Sequence, residues 1–372
     1  MMKILLTNSS DIYGGGEYYV LELSRSLRDR GHEVLIACRP DNLLYTKCEQ
    51  TNLPVIALDF PPNGRLLHFI NEIRGIIREK HTQIVHTNGN YDRTAGAFAA
   101  WSAGVPHVTN VHSLHSINRN LTHRIRNAMM TQYFLADGVQ ARDMLVNEDG
   151  IKESKVSVFY HGVNAGVLRR NAELRCKIRT EFHCADDIVL IGNVGRFVPM
   201  KGQEYLLRAF ATAAKKFPDA RLAMIGDGIL TDDLKQLTTS LGIDKQVIFT
   251  GFRDDLVALY SAFDIYANSS VKGGGETISF ATQQALAQEL PVVVTDVGDV
   301  SQNVREGISG YVVPDRDPEA MADKLTRLVQ DKSLRDSMGR EGRKYLLERF
   351  TTERMAETVE KIYLGVLNGR TN

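Results

Sequence analysis

Short apolar runs alternate along this chain with longer stretches in which apolar residues return every three or four positions. Lys3–Thr7 (KILLT) is such a run, closed by polar turn residues, and Glu17–Arg30 carries Val20, Leu21, Leu23 and Leu27 at helical spacing, so the chain opens as strand, glycine loop, helix. Strands are expected next at His32–Ala37, Val55–Leu58, Ile84–Thr87, Val108–Val111, Tyr133–Ala136 and Val156–Phe159. Helical patterns at Leu66–Lys80, Asp92–Ala103 and Gln140–Val146 lie between most of them. After Asn164 the series restarts with strands at Ile188–Asn193, Leu222–Ile225, Val247–Thr250, Ile265–Ala267, Val292–Thr295 and Tyr311–Val313, and helices at Glu204–Lys216 and Leu230–Leu241. From Pro318 onward the pattern is helical, ending in Thr351–Leu367, whose Met355, Val359, Ile362, Tyr363 and Val366 form an apolar face that needs a surface to cover.

Strands alternating with helices predict an α/β chain with parallel, doubly wound sheets, here two of them. The expected division is a Rossmann-like domain over residues 1–164, a second over 165–350 and a C-terminal helix over 351–372. No low-complexity linker separates the halves near Val163–Val167, which favours two domains facing each other across a cleft, with ligands beyond the carboxyl ends of the strands.

Composition narrows the class. At 372 residues the chain suits two domains, and 45 basic against 45 acidic side chains leave no bulk attraction to nucleic acid. Cys38, Cys48, Cys176 and Cys184 show no C-x-x-C spacing and read as reduced thiols. The apolar run after Met1-Met2-Lys3 stops at Leu6, too short for a signal peptide or a spanning helix, so a cytoplasmic protein is expected, free or associated with the inner face of the membrane.

Candidate chemistry gathers just after predicted strands. In GGGETISFATQQALAQELPVVVTDVGDV, residues 273–300, a glycine run and Glu276 open a helix whose Ala281, Ala285 and Ala287 let it lie close to a sheet, and Leu290-Pro291 ends it. A helix N-terminus offers N–H groups to an anion and the carboxylate takes hydroxyl donors, so phosphate and sugar are the natural ligands; a first-turn acid favoured by the helix dipole is the plainer account. Gly14-Gly15-Gly16-Glu17 is either a tight turn or a bare backbone that a diphosphate can approach. His112, with His115 on the same loop, follows the strand at Val108–Val111, and Arg196 and Lys201 in GRFVPMKG follow IVLIGNV. Two basic residues fixed on one loop can neutralise a leaving diphosphate without metal, or be merely solvated. The D-x-D of Asp315-Arg316-Asp317 precedes Pro318, so Asp317 is expected to cap a helix and not to bind metal. G-x-G-x-x-G and Walker A sequences are absent after the predicted strands, which counts against dehydrogenases and P-loop enzymes.

Taken together, the segment from Gly273, the GRFVPMKG loop and the Gly-Gly-x-Glu-like loop resemble the retaining GT-B glycosyltransferases of family 4 (group 1), in the family's order over nearly the whole chain. The resemblance implies transfer of a hexose from a nucleotide diphosphate sugar, UDP- or GDP-linked, to a hydroxyl acceptor, with retention and without a metal or other cofactor. It implies that His112 and Glu276 orient the sugar and that Arg196 and Lys201 stabilise the leaving diphosphate. It places Gly15, Gly16, Ile278 and Ser279 at the donor, with Phe252 and Arg253 of Gly251-Phe252-Arg253 at the nucleobase; Gly226-Asp227-Gly228 is also family-like, though a turn explains it. Gln284 stands where the family's second glutamate is expected, weakening each ribose hydrogen bond from about 1.5–3 kcal/mol toward about 1. Ser279 replaces a common glycine. The acceptor the family implies is a bacterial cell-surface glycan or glycolipid: lipopolysaccharide, capsule or exopolysaccharide. Alternatives are an epimerase or phosphorylase of the same fold, or a non-catalytic partner subunit; Glu276, Arg196 and Lys201 together argue against the last.

Between Phe60 and Arg126 basic residues outnumber acids, with Arg65, Arg74, Arg78, Lys80, Arg93, Arg119, Arg124 and Arg126 against Glu72, Glu79 and Asp92. Leu121, Ile125, Met129 and Tyr133 share helical spacing there. A helix packed on the first domain accounts for this; the sharper alternative is contact with anionic lipid or a phosphorylated glycolipid.

Overall fold

The computed structural model describes residues 1–11, 13–58, 60, 66–112, 114–118 and 120–369. The chain forms two compact units, Met1–Gly162 with Thr352–Asn372, and Val163–Thr351. The two crossings lie side by side: Val163 N–H donates to Phe350 O at 3.0 Å and Val163 pairs with Thr351.

The first unit is built on β1 (Lys3–Asn8), β2 (Glu33–Cys38), β3 (Val55–Ala57), β4 (Ile84–Thr87), β5 (His107–Val111), β6 (Tyr133–Asp137) and β7 (Val156–Phe159). They form one parallel sheet in the order β3-β2-β1-β4-β5-β6-β7. Leu5 and Val85 lie on the face covered by helices Leu66–Glu79 and Asn90–Ala103, where Ile73, Ile77, Ala95 and Ala99 complete an apolar core. The first helix, Gly15–Asp29, packs against the last, Thr352–Leu367, whose Met355, Val359, Tyr363 and Val366 are buried.

The second unit repeats the plan with β8 (Leu190–Val194), β9 (Arg221–Ile225), β10 (Val247–Gly251), β11 (Ile265–Asn268), β12 (Val292–Thr295) and β13 (Gly310–Val313), parallel in the order β10-β9-β8-β11-β12-β13. Its core gathers Ile191, Leu222, Met224 and Val293 with Leu206, Leu207 and Phe210 of the Gln203–Ala214 helix and Leu325 and Leu328 of the Pro318–Gln330 helix. In each sheet the strand order reverses once, between β1 and β4 and between β8 and β11. Ligand loops of doubly wound sheets emerge at such switch points.

Several short helices lie outside the apolar periodicity. Leu43–Gln50 buries only Leu44 and Cys48, too few positions to show a period. Ala172–Glu181 is tied down by charge: Arg175 and Arg179 bond Asp264 at 3.0 and 3.1 Å, at the foot of β11. The helical spacing that includes Tyr133 is broken, because the helix Leu121–Ile125 and the π-turn Arg126–Met130 end before it and Tyr133 begins β6.

Buried histidines make the first unit acid-sensitive. Burial, the largest cause, pushes His86 down to about 3, against its ordinary 6.5. The unfolded chain therefore takes up this proton first as pH falls, and stability present above 6.5 is lost on the way toward 3. Between pH 7.5 and 5 this one group costs about 2 kcal/mol. Urea unfolding at the two pH values is expected to show that loss, reduced by about the same amount in His86→Gln.

Candidate functional site

In the second unit, β8 feeds a loop pinned on both sides. Gly195 N–H donates to Ile225 O at 3.0 Å, Phe197 N–H to Asp227 O at 2.9 Å, and Gln203 Nε2 to Arg196 O at 2.9 Å, while the Phe197 ring is fully buried. Gly226 holds this contact at φ +137°, where a Cβ would meet Gly195 O at 2.0 Å, so the Gly226–Gly228 turn is a clamp for the Arg196 loop. The backbone anchored in this way leaves the Arg196 guanidinium exposed, with no side-chain partner among the described residues.

Lys201 ends the short turn Pro199–Lys201, and its Nζ bridges both oxygens of Glu276 at 2.8 and 2.7 Å. The carboxylate is buried and the lysine side chain remains 23% exposed. Loops after the two strands flanking the switch point thus deliver one cation and one anion to the same place. Glu276 does not open the helix as expected. That helix runs Phe280–Ala287, and Ser279 is its N-cap, accepting the Thr282 N–H at 3.2 Å and an Asn268 Nδ2 hydrogen bond at 3.2 Å. The hydroxyl at 279 therefore has a local job that glycine lacks. Glu276 sits instead in the segment leading to it, pressed against Gly298 and Asp299, whose N–H donates to Thr277 O at 2.7 Å. Ile278 and Ser279 are buried on this segment, and Gln284 is buried within the helix.

Phe252 and Arg253 follow β10. The Phe252 ring is 62% exposed, an open stacking face. Arg253 is engaged by Glu181 at 2.5 Å and Asp255 at 2.6 Å, and these hydrogen bonds raise its pKa further; its guanidinium is committed to carboxylates. Asp317 accepts the Ala320 N–H at 2.9 Å with Pro318 in the first turn, and Asp315 accepts the Lys272 N–H at 3.0 Å, so this D-x-D is a capping element.

In the first unit, Gly14 caps the helix that Gly15 and Gly16 begin, and Glu17 folds back on it: Oε2 accepts the Gly14 N–H at 2.8 Å and Oε1 an Asn8 Nδ2 bond at 3.1 Å. A Cβ on Gly16 would meet the His112 ring at 4.0 Å, so residues far apart in sequence share one corner. His115 is exposed on the same loop. Beside His112 stand Tyr19, Asp137 and His161, which sequence reasoning passed over although Asp137 ends β6 and His161 follows β7, the placement that singled out His112. Asp137 Oδ2 lies 2.6 Å from His161 Nε2 and 3.6 Å from His112 Nδ1. Burial works to raise the Asp137 pKa, but the His161 ring hydrogen-bonded to it and the nearby His112 ring outweigh it and hold the carboxyl well below its usual range; burial lowers His161. The ligand atoms of His112, Asp137 and His161 lie within 4.8 Å of one another, a metal-like spacing in which Asp137 already accepts from His161.

The basic surface shrinks on inspection. Arg93 and Arg126 are buried, Arg126 bonding Thr94, Asn127 and Ile117 O, while Arg65 and Arg119 lie outside the described residues. Leu121 (71%), Ile125 (41%) and Met129 (65%) are exposed beside the exposed Arg124. Among the described residues no helix is long and apolar enough to cross a membrane.

Comparison with known proteins bears on this arrangement directly. The profile of Glycosyl transferases group 1 matches residues 177–345, and that of Glycosyltransferase Family 4 matches residues 13–166. The chain belongs to the group 1, family 4 glycosyltransferases. The two profiles cover the Lys201–Glu276 loops and the His112 corner respectively, and the two parallel Rossmann-like sheets are those of the GT-B fold. Relatives of this glycosyltransferase include N-acetyl-alpha-D-glucosaminyl L-malate synthase of Bacillus anthracis, 23% identical over 96% of each chain. Another is the UDP-Gal:alpha-D-GlcNAc-diphosphoundecaprenol alpha-1,3-galactosyltransferase of Escherichia coli, 24% identical over 98% of this chain and 97% of that one. Among solved structures, Anabaena HepE in complex with UDP-glucose superposes with a TM-score of 0.86 at 22% identity, over 97% of this chain and 99% of that one.

Gly298 sets the position of the Glu276 segment: its φ is +55°, and a Cβ would lie 2.2 Å from Glu276 O and 2.7 Å from Thr277 O. Gly298→Ala is expected to cost about 1–3 kcal/mol in urea unfolding and to speed amide exchange across residues 273–279.

Proposed function

We propose that this glycosyltransferase moves a sugar from a UDP- or GDP-linked donor to a hydroxyl acceptor with retention of configuration, in the assembly of a bacterial cell-surface glycan. The observation that carries the reading is the Lys201–Glu276 pair, with the Arg196 guanidinium exposed on the same loop as Lys201 and without a side-chain partner among the described residues. Lys201 spends two N–H bonds on Glu276 and has a third for a phosphate oxygen. Arg196 supplies a second, bidentate cation. As the glycosidic bond breaks, negative charge grows on the diphosphate, and two fixed cations stabilise it there without a metal. Glu276, bridged by its lysine, accepts hydroxyl donors from the sugar; His112 is a sugar contact contributed by the first unit, and Phe252 offers a face to the base. The UDP-Gal and GlcNAc-diphosphoundecaprenol in the name of the Escherichia coli relative support a sugar-nucleotide donor and a lipid-linked glycan acceptor.

Thermal unfolding with UDP, GDP and ADP and their sugar conjugates is expected to single out one nucleotide, since a ligand at about 100 times its Kd stabilises by about 2.7 kcal/mol. With that donor, transfer is expected to persist in EDTA, to give product of unchanged anomeric configuration by proton NMR, and to fall about 10²–10³-fold in Lys201→Ala. Near-normal turnover of that variant would sink the assignment, and donor conversion without acceptor would point to an epimerase.

The exposed stripe of Leu121, Ile125 and Met129 beside Arg124 favours an anionic membrane surface or glycolipid as the acceptor's setting. Anionic liposomes are expected to float the protein at low salt and to lose it in Leu121→Gln with Met129→Gln.

A further inference from the structure

A neutral imidazole has one donor and one acceptor, so what His112 offers a sugar depends on which nitrogen holds the proton. Two sets of hydrogen bonds bear on that choice. On one side, the Tyr363 hydroxyl meets His86 Nδ1, and His86 Nε2 meets Asn110 Oδ1 at 2.8 Å. His86 is fully buried and its pKa is pushed down to about 3 by that burial, so it is neutral. A carboxamide oxygen only accepts. His86 therefore keeps its proton on Nε2 and accepts from Tyr363 on Nδ1. With Oδ1 engaged, Asn110 turns Nδ2 toward His112 Nε2, 3.5 Å away, and an amide NH₂ only donates. His112 Nε2 thus carries a lone pair.

On the other side, Asp137 Oδ2 faces His112 Nδ1 at 3.6 Å and His161 Nε2 at 2.6 Å. An ionised carboxylate only accepts, so the His112 nitrogen facing it carries hydrogen. Both sides demand the same tautomer. The ring plane is held as well, with His161 stacked on His112 at 5.3 Å and 19°, and Tyr19 edge-on at 5.5 Å and 66°.

We infer that Asp137 and the Tyr363–His86–Asn110 chain are positioning residues that hold His112 protonated on Nδ1, presenting Nε2 as an acceptor to a hydroxyl of the transferred sugar. This rests on the proposed contact of His112 with the sugar. The Asn110 contact is long, so a sugar hydroxyl is the stronger donor for Nε2, and the Asp137 contact shortens as the ring is loaded. A residue of the last helix acts in this way on a loop that follows β5.

The test has a spectroscopic and a kinetic arm. Nitrogen-15 NMR of histidine-labelled protein at pH 8 is expected to show His112 as the Nδ1–H tautomer, shifting toward Nε2–H in Asp137→Asn and in Tyr363→Phe; an Nε2–H wild type overturns the inference. Tyr363→Phe removes one hydroxyl and keeps the packed ring, so it carries the test where Asp137→Asn fails to fold. Kinetically, hydrolysis of UDP-glucose, or of the conjugate that stabilises the protein most, is expected to lose about 10–100-fold in kcat in Asp137→Asn with KM little changed, and several-fold in Tyr363→Phe. Neither is expected to slow a His112→Ala chain further. If His112→Ala alone retains full kcat, the sugar contact itself is wrong. If His112→Ala is slow and the other losses multiply with it, the contact stands and the positioning role falls.

Discussion

A parallel strand sends its following loop to the carboxyl edge of the sheet, and every strand pair assigned in both sheets is parallel. That constraint collects chemistry from distant sequence. Lys201 follows β8 and Glu276 follows β11, strands adjacent at a switch point, and the result is a bridged ion pair across 75 positions. The same geometry brings Gly16, after β1, and Asp137, at the end of β6, to the His112 corner that follows β5 in the first unit. Opposite edges carry structural charge instead, as where Arg175 and Arg179 bind Asp264 at the start of β11.

The Lys201–Glu276 pair also shows why a buried charge is tolerable there. A carboxylate out of water is costly unless it is paired, and here a bidentate ammonium offsets that cost before any ligand arrives. In the proposed role an incoming diphosphate would meet the unpaired charge of Arg196 and an ammonium with one N–H still to give. On this reading the loop is preorganised. Gly226 and Gly298 fix the two backbones that hold it, each where a Cβ would strike a carbonyl oxygen, at 2.0 and 2.2 Å.

Apolar periodicity made both sheets legible, since a strand buried on both faces is a continuous apolar run and its position needs no tertiary knowledge. It was blind to elements held by polar contacts, such as the Ala172–Glu181 helix, and it extended a helix through Tyr133 because an apolar residue at the right spacing can equally begin a strand. Glycine-rich loops after strands marked where the Lys201–Glu276 pair and the His112 corner gather. What they could not give was partnership: that Arg253 is spent on Glu181 and Asp255, that Arg93 and Arg126 are interior, or that Ser279 is a cap. Those facts depend on which side chains meet across sequence gaps. Asp137 and His161 are a different case, for they end or follow strands just as His112 does, and the rule that found one could have found all three.

The polar corner of the first unit has a thermodynamic implication. Its apolar clusters elsewhere would be served as well by aliphatic residues at His86, Asn110 and His161, and replacing satisfied buried polar groups by apolar ones of like shape is often neutral or stabilising. Retaining three imidazoles and a carboxylate in a nearly water-free space makes the unit sensitive to acid through His86 and obliges every member to find a partner. What such a network offers in return is direction. Hydrophobic contacts hold a ring in place but cannot say which of its nitrogens donates, whereas a chain ended by an acceptor-only carboxylate and a buried phenol can. The cost in stability is therefore intelligible where the orientation of one hydrogen matters, and the one partly open member of the network is His112.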